Sequence, residues 1–443
     1  MSIHSLLKTS AALGALVALT ASATAQETTT ITVGTVNNSD MIRMQGLTSV
    51  FEEQHPNIKV NWVTLEENIL RQRVTTDIAT KGGQFDVMTI GTYEVPIWAK
   101  QEWLQPLDNL PETYNTDDLI PAIRNALSVD DKLYALPFYA ESVLTLYRKD
   151  LFEKAGLEMP EQPTWDFIAE AAEKTADKEN GVYGICLRGK PGWGENMAFL
   201  GNMAREFGAN YFDASWQPQF ESEGWKKAVN LYVELMTKYG PPGAASNGFN
   251  ENLSLFGQGK CAMWIDASVA ASFVTNPEQS QVADQVGFGG APCGTEDCPN
   301  DGYNWQWAWS LGLPAGSQKA EAAQEFVAWA TSQDYINLVA EREGWASVPP
   351  GTRTSLYENK EYTDAAPFAA ATLNAIQNAK AEPTDDKPYF GLQFAAIPEF
   401  QGIGTAVGQQ MAAALSGSVT ADQALSQAQA IATREMTRGG YLK

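Results

Sequence analysis

Between residues 31 and 90 the hydrophobic pattern changes from strand-like to helical and back, twice, and that alternation leaves few folds open. Ile31-Thr-Val-Gly-Thr-Val36 reads as a strand. Asp40 is placed to cap a helix whose apolar residues Met41, Met44, Leu47, Val50 and Phe51 recur at helical spacing. His55-Pro56-Asn57 stops that helix, Ile58-Lys-Val-Asn-Trp-Val63 returns as a strand, and a second helix is predicted from about Glu67 to Thr80. Lys81-Gly82-Gly83 ends it before a third strand, Phe85-Asp-Val-Met-Thr-Ile90. This order predicts a parallel sheet flanked by helices. Ligands of such sheets sit beyond the carboxyl ends of the strands. Here that edge carries Asn37, Asn38 and the run Gly91-Thr92-Tyr93-Glu94.

A second α/β region begins at Val143-Leu-Thr-Leu-Tyr147. Thr164 is placed to cap a helix from Trp165 to Thr175, and Gly224 to Tyr239 reads as a long amphipathic helix. Ser317 is placed to cap Lys319 to Thr331, and the last helix runs from Ala421 to about Met436. At 443 residues the chain exceeds what one core usually supports. No internal repeat or low-complexity linker divides it. Two lobes without a single linker imply a chain that crosses between them more than once.

Lys8 precedes an apolar run, Ala11 to Leu19, and then small residues ending Ala23-Thr24-Ala25. This predicts a signal peptide over residues 1–25, cleaved after Ala25. The run is too short for a membrane span, which needs roughly 20 apolar residues. None of the cysteines, at 186, 261, 293 and 298, lies beside the cleavage site, so a free periplasmic protein and not a lipoprotein is expected. Cys293 and Cys298 flank a turn-rich loop and are expected to pair. Cys186 and Cys261 lie in strand-like runs and are either a disulfide or two buried thiols. The net charge of −23 argues against nucleic acid and anionic membranes as partners.

Catalytic chemistry finds little support. After cleavage one histidine remains, His55 in a helix-ending turn, which makes histidine triads and multi-histidine metal sites almost impossible. There is no C-x-x-C pair and no G-x-S-x-G, and Phe256-Gly-Gln-Gly-Lys-Cys261 lacks the first glycine and the Ser/Thr of a phosphate loop. No cofactor or metal is expected. A glycoside hydrolase needs only two carboxylates, and so it stands as the enzymatic alternative.

Five segments in order carry a resemblance. Gln84-Phe-Asp-Val-Met-Thr-Ile90 with Trp103-Leu-Gln-Pro-Leu107 comes first, then Leu136-Pro-Phe-Tyr-Ala-Glu-Ser142 and Leu146-Tyr-Arg-Lys-Asp-Leu-Phe152. Phe256-Gly-Gln-Gly-Lys-Cys-Ala-Met263 and Trp309-Ser-Leu-Gly-Leu-Pro-Ala-Gly-Ser317 follow. Together they resemble the extracellular solute-binding proteins of ABC sugar importers, the maltose-binding-protein-like family. Tyr93-Glu-Val-Pro96 and Asn304-Trp-Gln-Trp307 are closest to its sorbitol- and mannitol-binding branch. The resemblance implies an α/β two-lobed fold, each lobe a mostly parallel sheet flanked by helices, joined by three crossing segments. Lobe one is expected at 27–139 and 267–331, lobe two at 140–266 and 332–443, with the hinge near 137–141, 263–267 and 329–333. It further implies a monomer that closes on a polyol, or on a mono-, di- or oligosaccharide, and then docks on a membrane permease.

A polyhydroxylated ligand needs paired polar groups for its hydroxyls and aromatic rings for its C–H faces. Glu141 interrupts an otherwise apolar crossing strand, and burial of its charge calls for a partner. That partner is ligand or a salt bridge across the hinge; ligand is the preferred reading, and the family's glutamate there contacts sugar. Tyr93 and Glu94 lie at the ligand edge or in a solvated loop, while Asp266 contacts ligand or caps the next helix. Trp193, in the glycine-rich loop Gly189-Lys-Pro-Gly-Trp-Gly-Glu195, is a stacking candidate with Glu195 beside it. Trp305 and Trp307 share a strand face near its tip and are candidates for stacking or packing, whereas Trp309 reads as core. Arg188 donates to hydroxyls or pairs with an acid.

Overall fold

The computed structural model describes residues 28–298 and 304–443. The predicted signal peptide and its cleavage site lie outside the described residues. The first three strands are β1 (Thr29–Val36), β2 (Ile58–Leu65) and β3 (Val87–Gly91), linked by helices α1 (Ser39–Gln54) and α2 (Glu67–Thr80). Helix α3 (Glu94–Lys100) follows β3. A two-strand hairpin, β4 (Ser128–Val129) and β5 (Lys132–Leu133), precedes β6 (Ala135–Glu141) and β7 (Val143–Arg148). The remaining strands are β8 (Met263–Ala267), β9 (Val286–Gly289) and β10 (Trp307–Gly312).

The first sheet has the order β2-β1-β3-β10-β6. β1 runs parallel to β2 and β3, and β10 runs antiparallel to β3 and β6. Buried Ile31, Val33, Val87 and Ile90 pack this sheet against Met41, Met44 and Phe51 of α1 and Leu70, Val74 and Ile78 of α2. Helix α2 occupies the predicted span, but α1 starts differently. Asn38, not Asp40, caps it: its Oδ1 accepts from the Met41 amide at 3.0 Å. Asp40 instead lies buried in the first turn, 2.5 Å from Arg43.

The second sheet, order β8-β7-β9, corrects the expectation of a mostly parallel sheet: all its ladders are antiparallel. The reason is the path of the chain. β6 runs through Ser142 directly into β7, crossing from one sheet to the other, and β8 comes back along it towards the boundary. A strand that leaves the boundary and a neighbour that returns to it run antiparallel. Among the described residues parallel pairing here takes the form of isolated bridges, from Thr164 to Cys293, from Tyr183 to Cys261 and from Cys186 to Trp264. Cys186 and Cys261 are thereby joined as a disulfide, with Cα atoms 5.9 Å apart, and Cys293 is joined to Cys298.

Two boundaries also move. β9 pairs with β7, so 267–289 does not pass wholly to the first lobe. Nor does the chain cross at 329–333. There Ser332 caps the helix Gln333–Glu343, whose Tyr335 packs on Phe138 at 5.8 Å and whose Glu343 reaches Arg43 at 2.7 Å, both of the first lobe. The crossing comes later: Pro350 accepts from the Ala140 amide, and Phe368 packs on Phe288 of β9. The last helices, Phe400–Leu415 and Ala421–Arg438, pack on Asn196–Glu206 and Glu223–Tyr239. Among the described residues no helix is long and apolar enough to cross a membrane.

Candidate binding site between the lobes

The carboxyl ends of β1 and β2, the crossing strand β6 and the tip of β10 face the loop 188–195 and the helix Phe249–Gly257 across a cavity. Its volume is about 90 Å³. At about 10–15 Å³ per water that is room for roughly six to nine waters, too little for an extended chain of sugar rings. Five carboxylates line it (Glu66, Glu67, Glu141, Glu195 and Glu251) with three cations (Arg71, Arg188 and Lys190). Trp193, Trp305, Trp307, Trp309, Phe249 and Tyr139 form the aromatic wall.

Glu141 ends β6 on this wall and makes no hydrogen bond or ion pair with a described residue. Burial pushes its carboxyl well above the ordinary range; Arg188 opposes this, and Asp266 and Glu67 add to it. Beside it the Tyr139 hydroxyl accepts from Asn38 Nδ2 at 2.8 Å, which leaves its own proton to donate. A carboxyl with free lone pairs next to a phenol with a free proton suits a ligand hydroxyl, which both accepts and donates.

Arg188 is held rigidly. Asp266 takes its Nη2 at 2.6 Å and its Nε at 3.0 Å, while Nη1 donates to the Gly194 carbonyl at 2.8 Å. Burial works against the guanidinium charge, but Asp266 more than offsets it and Arg188 stays charged. Asp266 is itself saturated, also accepting from Trp264 Nε1 and the Ala267 amide. Glu195 lies 3.6 Å from both Arg188 and Lys190, and its Oε2 accepts no hydrogen bond. Burial, reinforced by Glu67, pushes the Glu195 carboxyl up to about 8 against the pull of those two cations.

Arg71 is boxed by aromatic faces. Its guanidinium lies 4.0 Å from the Trp193 ring centre, 4.6 Å from Trp309 and 4.9 Å from Trp307. Glu67 and Glu94 take three of its five N–H groups at 2.8–3.0 Å. Trp307 lies across Gly91 at the end of β3, where any Cβ would overlap its ring. Trp193 belongs to the loop 188–195, so Arg71 of α2 meets it across the cavity. Lys190 on Glu66 at 2.5 Å and Asn68 on the Pro191 carbonyl at 3.1 Å close the same side.

The sequence signature described as "Bacterial extracellular solute-binding protein" matches residues 38–336, more than half of the chain. The chain belongs to this solute-binding family. It is 56% identical over 421 residues, 95% of this chain and 96% of the other, to the mannitol-binding protein of Pseudomonas aeruginosa. An ABC transporter solute-binding protein from Agrobacterium vitis, solved with bound D-mannitol, is 64% identical with a TM-score of 0.91, covering 94% of this chain and 100% of that one. A maltose-bound protein of T. maritima, 21% identical with a TM-score of 0.78, covers 91% of this chain and 99% of that one, and shares the fold. The first two of these relatives are binding proteins by name.

In this family member the sequence-predicted residues divide. Glu141, Arg188, Trp193, Glu195, Trp305 and Trp307 line the cavity together. Tyr93, Glu94 and Asp266 do not. The Tyr93 hydroxyl donates to the Ile397 carbonyl at 3.0 Å and accepts from the Gln401 amide at 3.2 Å, bridging to the second lobe. Glu94 accepts from Arg71 and from the Gly91 amide, and Asp266 is filled by Arg188, so both support cavity residues from behind. Trp309, read as core, faces the cavity because the antiparallel register of β10 sets it beside Tyr139 and Gly91. Arg71, Glu67, Lys190, Phe249 and Gln393 were missed. Arg71 and Glu67 carried a usable signal, since both lie in the first turns of a helix that follows a parallel strand.

Proposed function

We propose that this chain captures a hexitol, D-mannitol or a close relative, in the inter-lobe cavity and delivers it to the permease of an ABC importer. It does so as a periplasmic binding protein without catalytic activity. The observation that carries the reading is the unspent hydrogen-bonding capacity inside a small aromatic cavity. Among the residues that line it, Glu195 Oε2, Gln393 Oε1 and the indole N–H groups of Trp193 and Trp305 are buried with no hydrogen-bond partner, and the Glu141 side chain bonds to no described residue. Acceptors and donors interleaved with ring faces match a neutral solute that carries a hydroxyl on every carbon. An anionic solute would meet five carboxylates, and an oligosaccharide would not fit. The mannitol-bound relative supports the same reading.

The test is a thermal-shift and calorimetric panel of hexitols, pentitols, monosaccharides and disaccharides on the mature protein. A ligand at 100 times its Kd stabilises the fold by about 2.7 kcal/mol. A response led by mannitol or sorbitol supports the reading. A response to disaccharides alone overturns the polyol assignment, and hydrolysis of a glycoside by the protein overturns the non-enzymatic one.

A further inference from the structure

Residues 379–399, between the helices Ala369–Asn378 and Phe400–Leu415, contain no helix or strand. Loops this long without secondary structure are uncommon and usually serve function. One buried side chain ties its two arms together. The Lys387 ammonium, 2% exposed, donates to the carbonyls of Ala381 at 2.9 Å, Tyr389 at 3.0 Å and Gly391 at 2.9 Å. An ammonium has three N–H donors, and all three are used, on carbonyls from both arms of the loop. Gly391 then turns the chain at a φ of 113°, where a Cβ would strike the Phe394 carbonyl.

The consequence appears two residues on. Gln393, which lines the cavity, donates from Nε2 to the Gln306 carbonyl at 3.0 Å, its own carbonyl accepts from Tyr211 at 3.1 Å, and its Oε1 is buried without a hydrogen-bond partner. Phe394 packs against Trp193 and Trp307 of the same wall. We propose that Lys387 is a positioning residue for the solute site: it clamps the loop so that Gln393 presents Oε1 to a ligand hydroxyl. The inference rests on the hydroxylated-solute reading of the cavity.

The experiment is a double-mutant cycle on ligand affinity with Lys387→Met, Gln393→Ala and the double variant, using D-mannitol. If the panel finds no polyol, the solute it does return takes mannitol's place. Each single change is expected to raise Kd about tenfold, the scale of one hydrogen bond. The double variant should be no worse than either, because Lys387 acts through Gln393. An unchanged Kd in Lys387→Met, or losses that multiply in the double variant, overturns the proposal. A variant that fails to fold leaves a second reading on the wild type alone. Amides of residues 380–396 must exchange with solvent as slowly as those of the flanking helices before any ligand is added. Free exchange there overturns the clamp whatever the solute proves to be.

Discussion

Replacing Glu141 by glutamine separates the two roles a buried carboxylate can hold at the crossing between the lobes. If it is a hinge ion pair, the fold depends on its charge; if it receives ligand, the charge is a cost until ligand arrives. The geometry favours the second, since no described group donates to it and burial already raises its carboxyl well above the ordinary range. A hydrogen bond to a charged group contributes about 1.5–3 kcal/mol. At about 1.4 kcal/mol per decade, losing one such bond raises Kd roughly tenfold to 150-fold. The unliganded variant should melt no lower than wild type at neutral pH, because a buried carboxyl that no described group pairs has been replaced by a neutral isostere. Isothermal titration with mannitol and a thermal melt without it measure the two quantities separately. An unchanged Kd, or a melting temperature several degrees lower, refutes the reasoning.

Asp266→Asn should do the reverse. It strips a buried guanidinium of its principal partner, which costs about 3–5 kcal/mol, and a thermal melt like that of wild type would contradict the support role. Tyr93→Phe removes the hydroxyl that bridges to Ile397 and Gln401 while leaving the cavity wall intact. About 1 kcal/mol, or roughly fivefold in Kd, is expected, chiefly as faster dissociation by stopped-flow fluorescence; slower association alone would argue against a closure contact. For pH, Asp40 is raised from 3.8 to about 6 and Glu195 from 4.5 to about 8. Groups raised on folding give stability that is complete below their unfolded values and lost as pH rises through the folded ones. The unliganded protein should therefore melt lower at pH 7 than at pH 5, with a flatter profile in Glu195→Gln. A melting temperature that rises over this interval would contradict these placements.

Local pattern was enough wherever one segment decides its own fate. Helix α2 keeps its predicted bounds, Glu67 to Thr80, because an acidic start and Lys81-Gly82-Gly83 punctuate it within the chain itself. Thr164 caps the helix it was expected to cap. Asp40 was the wrong cap for α1 because Asn38, two residues earlier, is an equally good one, and periodicity does not choose between them. Glu141 and Trp193 were legible as candidates because each breaks local expectation, a charge in an apolar strand and an indole in a glycine loop.

The roles of Glu94, Asp266, Tyr93 and Lys387 were not legible, and the reason is common to all four. Each is defined by a partner distant in sequence or by a turn that no pattern encodes: Arg71, Arg188, Gln401 and three loop carbonyls. The same holds for the second sheet, where β8 lies beside β7 only because the chain returns towards the boundary it crossed. By itself the sequence determined the α/β class, the two-lobed family and a short roll of polar and aromatic residues, since periodicity and motif order are local. Which of those residues face the cavity, and which stand behind holding the others, was decided by strand register and by the packing of distant segments around it. Those are properties of packing between segments far apart in the chain.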